Sequence, residues 1–267
     1  MKKTYNYIAL IFLSILTSCL DDIEPEFEFE EQVFISGLMT NEEDFVSVQI
    51  QKTVPVNDTT FNAVNDAQVS LFTRDASNTV SLVSDSFNVA NGAYTTSEMI
   101  TPTIGNAYWI EVMLQDQTIL KSEEEVLRQP IPILDMVKND NKVRITFTGP
   151  IDEQNFYLIR VEVLKDGELI SDNIDVFNDR IMNENPEKFL DIGNIKNDET
   201  VRVSINNINF STFQFYLNVF GGENDLDFAS LFLPINIVGN VTNITTNELA
   251  LGNFGVAGMS TMTMDFE

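Results

Sequence analysis

Apolar and polar residues alternate with a period of two along most of this chain. Val46, Val48 and Ile50 are interleaved with Ser47, Gln49 and Gln51. The same rhythm returns at Tyr108, Ile110, Val112 and Leu114, at Val143, Ile145 and Phe147, and at Val201, Val203 and Ile205. Tyr157, Ile159, Val161 and Val163 form one face of a further run, with Arg160 and Glu162 on the other. Each run predicts a strand with one buried face. Between such runs stand Asn91-Gly92, Asp140-Asn141 and Asp166-Gly167, pairs suited to tight hairpin turns. Short strands at this spacing predict a mainly β chain of sandwiches rather than βαβ units.

Arg128-Gln129-Pro130-Ile131-Pro132-Ile133 breaks the rhythm. Two prolines one residue apart favour a stiff, extended connector. It divides the chain into an expected β-domain over 33–128 and a second over 133–267. One stretch of the second carries a helical period: Phe213, Tyr216, Leu217 and Phe220. Ser211 is placed to cap it and Gly221-Gly222 to end it, so a short helix is expected over 211–220. Residues 172–199 are polar and without clear period, and read as a long irregular excursion.

The first thirty residues have a different character. Lys2 and Lys3 precede an apolar run from Tyr7 to Leu16. That run has signal-peptide length and is too short to span a bilayer as a helix. It ends in Leu16-Thr17-Ser18-Cys19, the only cysteine in the chain. The tetrapeptide resembles the lipobox of bacterial lipoproteins. Small residues at Thr17 and Ser18 fit a narrow peptidase cleft, and the Cys19 thiol takes the diacylglycerol. This reading assigns 1–18 to a signal peptide, with Leu16, Thr17 and Ser18 as the peptidase recognition residues and Cys19 as the lipidation site. The alternative is an incidental cysteine behind an ordinary signal peptide. Residues 19–32 follow as a tether whose crowded carboxylates keep it extended. Asp21 and Asp22, directly behind the cysteine, resemble the surface-export signal of Bacteroidota lipoproteins. They point to display on the cell exterior, with a periplasm-facing lipoprotein as the alternative.

Charge narrows the function classes. Fifteen basic residues stand against 41 acidic ones, a net charge of −26. Cleavage before Cys19 removes Lys2 and Lys3 and takes the balance to −28. Such a surface repels nucleic-acid phosphates and anionic headgroups, so membrane contact is expected through the lipid on Cys19 alone. The chain has no histidine, which removes Ser-His-Asp and Cys-His catalysis and imidazole metal sites. No catalytic residue, metal site or cofactor is assigned.

The order of motifs resembles that of a Bacteroidota lipoprotein family, domain of unknown function 4249. The opening "VFISGLMTNEEDFVSVQIQKTVPVNDTTFNAVNDAQVSLF", the pair "NGAYTT" and "GNAYWIEV", the linker "QPIPILD", and the closing "LPINIVGNV" and "ELALGNFGVAGMSTMTM" carry the resemblance. It implies an immunoglobulin-like first domain and a role beside a TonB-dependent outer-membrane transporter. The expected fold is therefore two β-sandwich (immunoglobulin-like) domains with one short helix in the second. The resemblance weakens over 172–199 and brings no catalytic residues.

Three local features are candidate sites. Trp109, the single tryptophan, would stack on a sugar ring if exposed, and otherwise packs inside. Gly221-Gly222-Glu223-Asn224-Asp225-Leu226-Asp227 offers oxygen ligands without the spacing of a calcium loop. Asp152-Glu153 pairs two carboxylates on a turn, where they more often face solvent. The phenylalanines clustered around the helix fill a core or, if exposed, form a partner patch. The leading expectation is a lipid-anchored accessory or binding lipoprotein of the outer membrane, capturing cargo for a transporter or supporting it. A structural or adhesive surface protein is the second reading, and a carboxylate glycosidase a distant third.

Overall fold

A computed structural model describes residues 29–55, 58, 60–140, 142–151, 153–179, 186–193, 195–224 and 237–266, with 221–224 described by backbone alone. The segment with Leu16, Thr17, Ser18, Cys19, Asp21 and Asp22 lies outside the described residues, as do Asp152, Asp225, Leu226 and Asp227. The chain divides into residues 1–30 and a larger compact unit, residues 31–267.

The larger unit is mainly β, with a large, nearly closed sheet and a small second one. Its first strands are β1 (Val33–Thr40), β2 (Ser47–Lys52), β3 (Asn62–Ala63), β4 (Gln68–Arg74) and β5 (Val80–Ser84). Then come β6 (Phe87–Ala90), β7 (Ala93–Thr96), β8 (Ala107–Met113), β9 (Ile119–Ser122) and β10 (Glu125–Val126). After the proline linker follow β11 (Ile133–Asn139), β12 (Lys142–Thr148), β13 (Phe156–Lys165), β14 (Glu168–Asn178), β15 (Glu187–Ile192) and β16 (Glu199–Ile208). Helix α1 (Phe210–Asn224) precedes β17 (Val238–Asn243) and the 19-residue β18 (Glu248–Phe266).

Period-two alternation placed the strands well because it reports which face meets a core. Val48, Ile50, Ile110 and Val112 point into one core, and Val143, Ile145, Phe147, Ile159, Val161, Val203 and Ile205 into another. Asn91-Gly92 and Asp166-Gly167 have positive φ at both residues, as two-residue hairpins require. They close β6 on β7 and β13 on β14.

Two departures stand out. Residues 172–199, expected to be irregular, are largely strand: β14 runs to Asn178 and β15 covers Glu187–Ile192. Polar side chains hid them, because β14 is almost wholly exposed and presents little apolar rhythm. The helix is also longer than its apolar period, starting at Phe210 and continuing through Gly221-Gly222 to Asn224. Its first helical hydrogen bond runs from the Phe213 N–H to the Asn209 carbonyl. Ser211 does not cap it; its hydroxyl donates to Glu123 Oε2 at 2.8 Å.

Strand β18 organises the unit. Its residues Leu251–Ala257 pair in parallel with β1, and Gly258–Phe266 pair antiparallel with β16. The first core draws on residues 35–127 and is completed by Val241, Phe254 and Val256. The second lies between β11-β12-β15 and the β13-β16-β18 arm of the large sheet, and takes in Phe266. In Asn253-Phe254-Gly255-Val256-Ala257, large residues face the first core and small ones face α1. Gly255 lies against Thr212, and Ala257 belongs to the cluster of Phe156, Leu158 and Phe213 beneath the helix. A Cβ at Gly258 would stand 2.3 Å from the Arg128 carbonyl oxygen, so this glycine lets β18 pass under the linker.

Candidate functional site

Two buried polar clusters and two clefts are the chemically distinctive places. The first cluster lies at the N-terminus of α1. Glu125, at the start of β10, is buried and its oxygens meet only donors. Oε2 accepts from the Val256 N–H at 2.9 Å and from Asn209 Nδ2 at 3.2 Å. Oε1 accepts from the Thr212 hydroxyl at 2.9 Å and from Asn240 Nδ2 at 3.0 Å. Asn253 Nδ2 in turn donates to Thr212 Oγ1 at 3.1 Å. Burial pushes the Glu125 pKa up, while these donors pull the other way without cancelling it. The cluster ties β10, α1, β17 and β18 together. It reads as a structural pin: each donor ends on the carboxylate, on Thr212 or on a main-chain carbonyl, and none is aimed at an open space.

The second cluster lies at one end of the second core. Asp179, just past β14, accepts from the Asn155 main-chain N–H at 2.9 Å, Asn155 Nδ2 at 2.8 Å and the Tyr157 hydroxyl at 3.0 Å. Lys188 Nζ on β15 stands 2.9 Å from Asp179 Oδ2, with neither side chain exposed. The contact is an ion pair without hydrogen-bond alignment, so Nζ has charge compensation but no directed bond. Burial works to lift the Asp179 pKa, but Lys188, Asn155 and Tyr157 hold it below the ordinary value. Burial, and then the Asp179 charge, push the Tyr157 hydroxyl up. Sequence reading missed this pair. On β15 the lysine points inward beside Leu190 and Ile192, while Phe189 points out and carries the Arg144 guanidinium 4.7 Å from its ring.

The residues singled out from sequence fall as follows. Trp109 is 2% exposed yet lies on the face of β8 away from the core. Phe72 stacks on it at 5.5 Å, Lys121 Nζ sits 4.9 Å from its ring centre, and its Nε1 donates to Glu111. That covering corrects the sugar-stacking option, because no ring face is left open. Glu153 is solvent-facing, with Arg128 at 3.9 Å. Among the described residues the aromatic set around the helix is mostly packed: Phe156, Phe213 and Phe215 are buried, and Phe210 is exposed, as is Leu217 beside it on the helix. A cleft of ≈350 Å³ is lined in part by Glu31, Lys52, Val64, Asp66, Leu114 and Asp116. Another of ≈170 Å³ lies between Leu38, Phe45, Pro102 and Met259. Among the described residues no group of three or more carboxylate, thiol or imidazole side chains is placed to hold a metal ion.

A family model described as "Domain of unknown function (DUF4249)" matches residues 20–263. The chain belongs to the DUF4249 family. The match takes in the first core, most of the second, α1 and β18 as far as Thr263. Among curated proteins, none matches this DUF4249 chain. Solved structures give remote likenesses. A cytokine receptor complex aligns at 11% identity over 65% of this chain and 84% of its own, with a TM-score of 0.26. A Salmonella alpha-2-macroglobulin mutant aligns at 10% identity over 67% of this chain and 14% of its own, with a TM-score of 0.23. CBD12 from CALX1.2 aligns at 10% identity over 88% and 100%, with a TM-score of 0.24. At these scores the likenesses carry no functional argument.

Proposed function

We propose that this DUF4249 chain is a lipid-anchored accessory module of the outer membrane that works beside a TonB-dependent transporter, capturing cargo for it or supporting it. The observation that carries this reading is the coincidence of Lys2-Lys3, an apolar run, Leu16-Thr17-Ser18-Cys19 and an acidic segment in the first 31 residues. A thioether-linked diacylglycerol, at ~0.8 kcal/mol per buried methylene, holds a folded unit at a bilayer without a spanning helix. The acidic tether and the net charge of −28 after cleavage support a surface kept off anionic headgroups. Asp21 and Asp22 support orientation toward the exterior. We read the β-unit as two immunoglobulin-like sandwiches that share β18, a finer division than the sheet order itself states.

Mass spectrometry of the wild-type chain from the membrane fraction is expected to find Cys19 as the first residue, carrying thioether-linked diacylglycerol. An unmodified Cys19, or a chain still beginning with Met1, would remove the anchor from this reading. The transporter is tested separately, by extraction of the wild-type chain in mild detergent. A β-barrel companion is expected to co-purify, and a chain that repeatedly emerges alone counts against the association.

A further inference from the structure

Of the ion pairs among the described residues, Lys188–Asp179 is unlike the rest. Arg144–Asp191, Arg160–Asp172 and Lys52–Glu31 all have exposed side chains, whereas both members of this pair are at 0%. The pair also joins different sheets. Lys188 belongs to β15 of the small sheet, opposite Phe147 of β12. Asp179 follows β14, which hangs on β13 at the end of the large sheet. Gly149 leaves no spare room: a Cβ there would stand 2.5 Å from the Tyr157 hydroxyl and 2.9 Å from Lys188 Nζ. The site is thus closed, with amine and acid already in contact.

We propose that Lys188 and Asp179 condense into an intramolecular isopeptide cross-link that staples the two sheets across the second core.

The chemistry balances with no added reagent. The pair starts as ammonium and carboxylate. One proton passes from Nζ to Oδ2 across the 2.9 Å contact, giving neutral amine and neutral acid. The donors around Asp179 favour its carboxylate, so the neutral pair is the minor form, and it is the form that reacts. Nζ then attacks Cγ; the new C–N bond forms as the Cγ–Oδ2 bond breaks. A second proton from Nζ goes to Oδ2, which leaves as water. The Tyr157 hydroxyl and Asn155 Nδ2 donate to Oδ2 and assist its departure. The Asn155 main-chain N–H holds Oδ1, which becomes the amide carbonyl oxygen and takes up charge as the tetrahedral species forms. Fixed placement of amine and acid replaces the encounter that makes this condensation slow in water.

Peptide mapping of the full chain, denatured and digested with trypsin, decides the matter. Acylated Lys188 is no longer a cleavage site. The expected product joins Asp166–Arg180 to Ile181–Lys196, uncut after Lys188 and lighter than the two peptides together by one water. Lys188→Arg keeps the cation but is not expected to condense, and should yield Asp166–Arg180 unlinked. Cleavage of wild-type chain after Lys188 as complete as after Lys165 and Lys196, with Asp166–Arg180 at its full mass, would overturn the proposal. The wild-type map is decisive even if the arginine variant fails to fold.

Discussion

Gly252→Ala is expected to be the most damaging small substitution in the fold. Gly252 has φ +112°, outside the range that side-chain-bearing residues readily adopt. A Cβ there would stand 1.9 Å from the Ile35 carbonyl oxygen and 2.6 Å from the Ile35 nitrogen. These are main-chain atoms of β1, the parallel partner of β18, so no side chain can swing aside. Backbone strain of ~1–3 kcal/mol adds to overpacking of similar size, roughly 2–6 kcal/mol together. For a unit of this size that lowers Tm by roughly 5 °C or more. Gly193→Ala is the control: nothing lies within 4 Å of its Cβ position, and its Tm is expected to match the wild type. Thermal melts by circular dichroism compare the two. A Gly252→Ala melt superimposed on the wild type would show that β1 and β18 do not pair as described.

Glu125→Ala should be comparably costly for a different reason. Removal of the carboxylate strands the buried Val256 N–H and one N–H of Asn240 Nδ2, whose other N–H stays on the Phe254 carbonyl, while Asn209 Nδ2 keeps the Val126 and Val256 carbonyls. Each buried donor without a partner costs ~1–3 kcal/mol, so a loss of about 3 kcal/mol or more is expected in urea unfolding. Glu125→Gln keeps the shape and removes the charge but sets an –NH2 among donors, so the pH dependence of its cost, not the absolute cost, reports the charge. The folded pKa of Glu125 lies above its ordinary 4.5, so ionisation opposes folding. Its contribution is therefore complete below pH 4.5 and is lost as pH rises through the folded value. Glutamine does not titrate, so the substitution should cost more at pH 4.5 than at neutral pH. A cost that is equal at both, or larger at neutral pH, would contradict a carboxyl held up by burial.

Strands were legible in the sequence wherever one face meets a core and the other meets water. Val143-Arg144-Ile145 and Ile159-Arg160-Val161 show it in three letters each. Strand β14 was not legible, because Ser171, Asp172, Asn173 and Asp175 line a mostly exposed edge. The pairing of β1 with β18 joins residues more than two hundred positions apart, and local periodicity carries no information about it. One sign of it was present: large and small residues alternate through Asn253-Phe254-Gly255-Val256-Ala257, the pattern of a strand packed between a core and a close helix. Buried charge was the least legible. Glu125 sits in an acidic run, Glu123-Glu124-Glu125, whose first two members face outward to Ser211 and Arg74. Lys188 sits beside an outward phenylalanine. In both places the three-dimensional partners, not the neighbours in sequence, decide which residue goes in.

Sharing of β18 by both cores is most directly tested by equilibrium unfolding in urea, followed at once by Trp109 fluorescence and far-ultraviolet circular dichroism. Trp109, on β8, reports on the sheet around the first core, and dichroism reports on all strands. Since Phe254 and Val256 fill the first core and Phe266 the second, neither core should open while the other stays closed. A single transition with superimposable curves is expected. Two transitions, with the fluorescence change complete while half the dichroism remains, would contradict a single unit built on one strand.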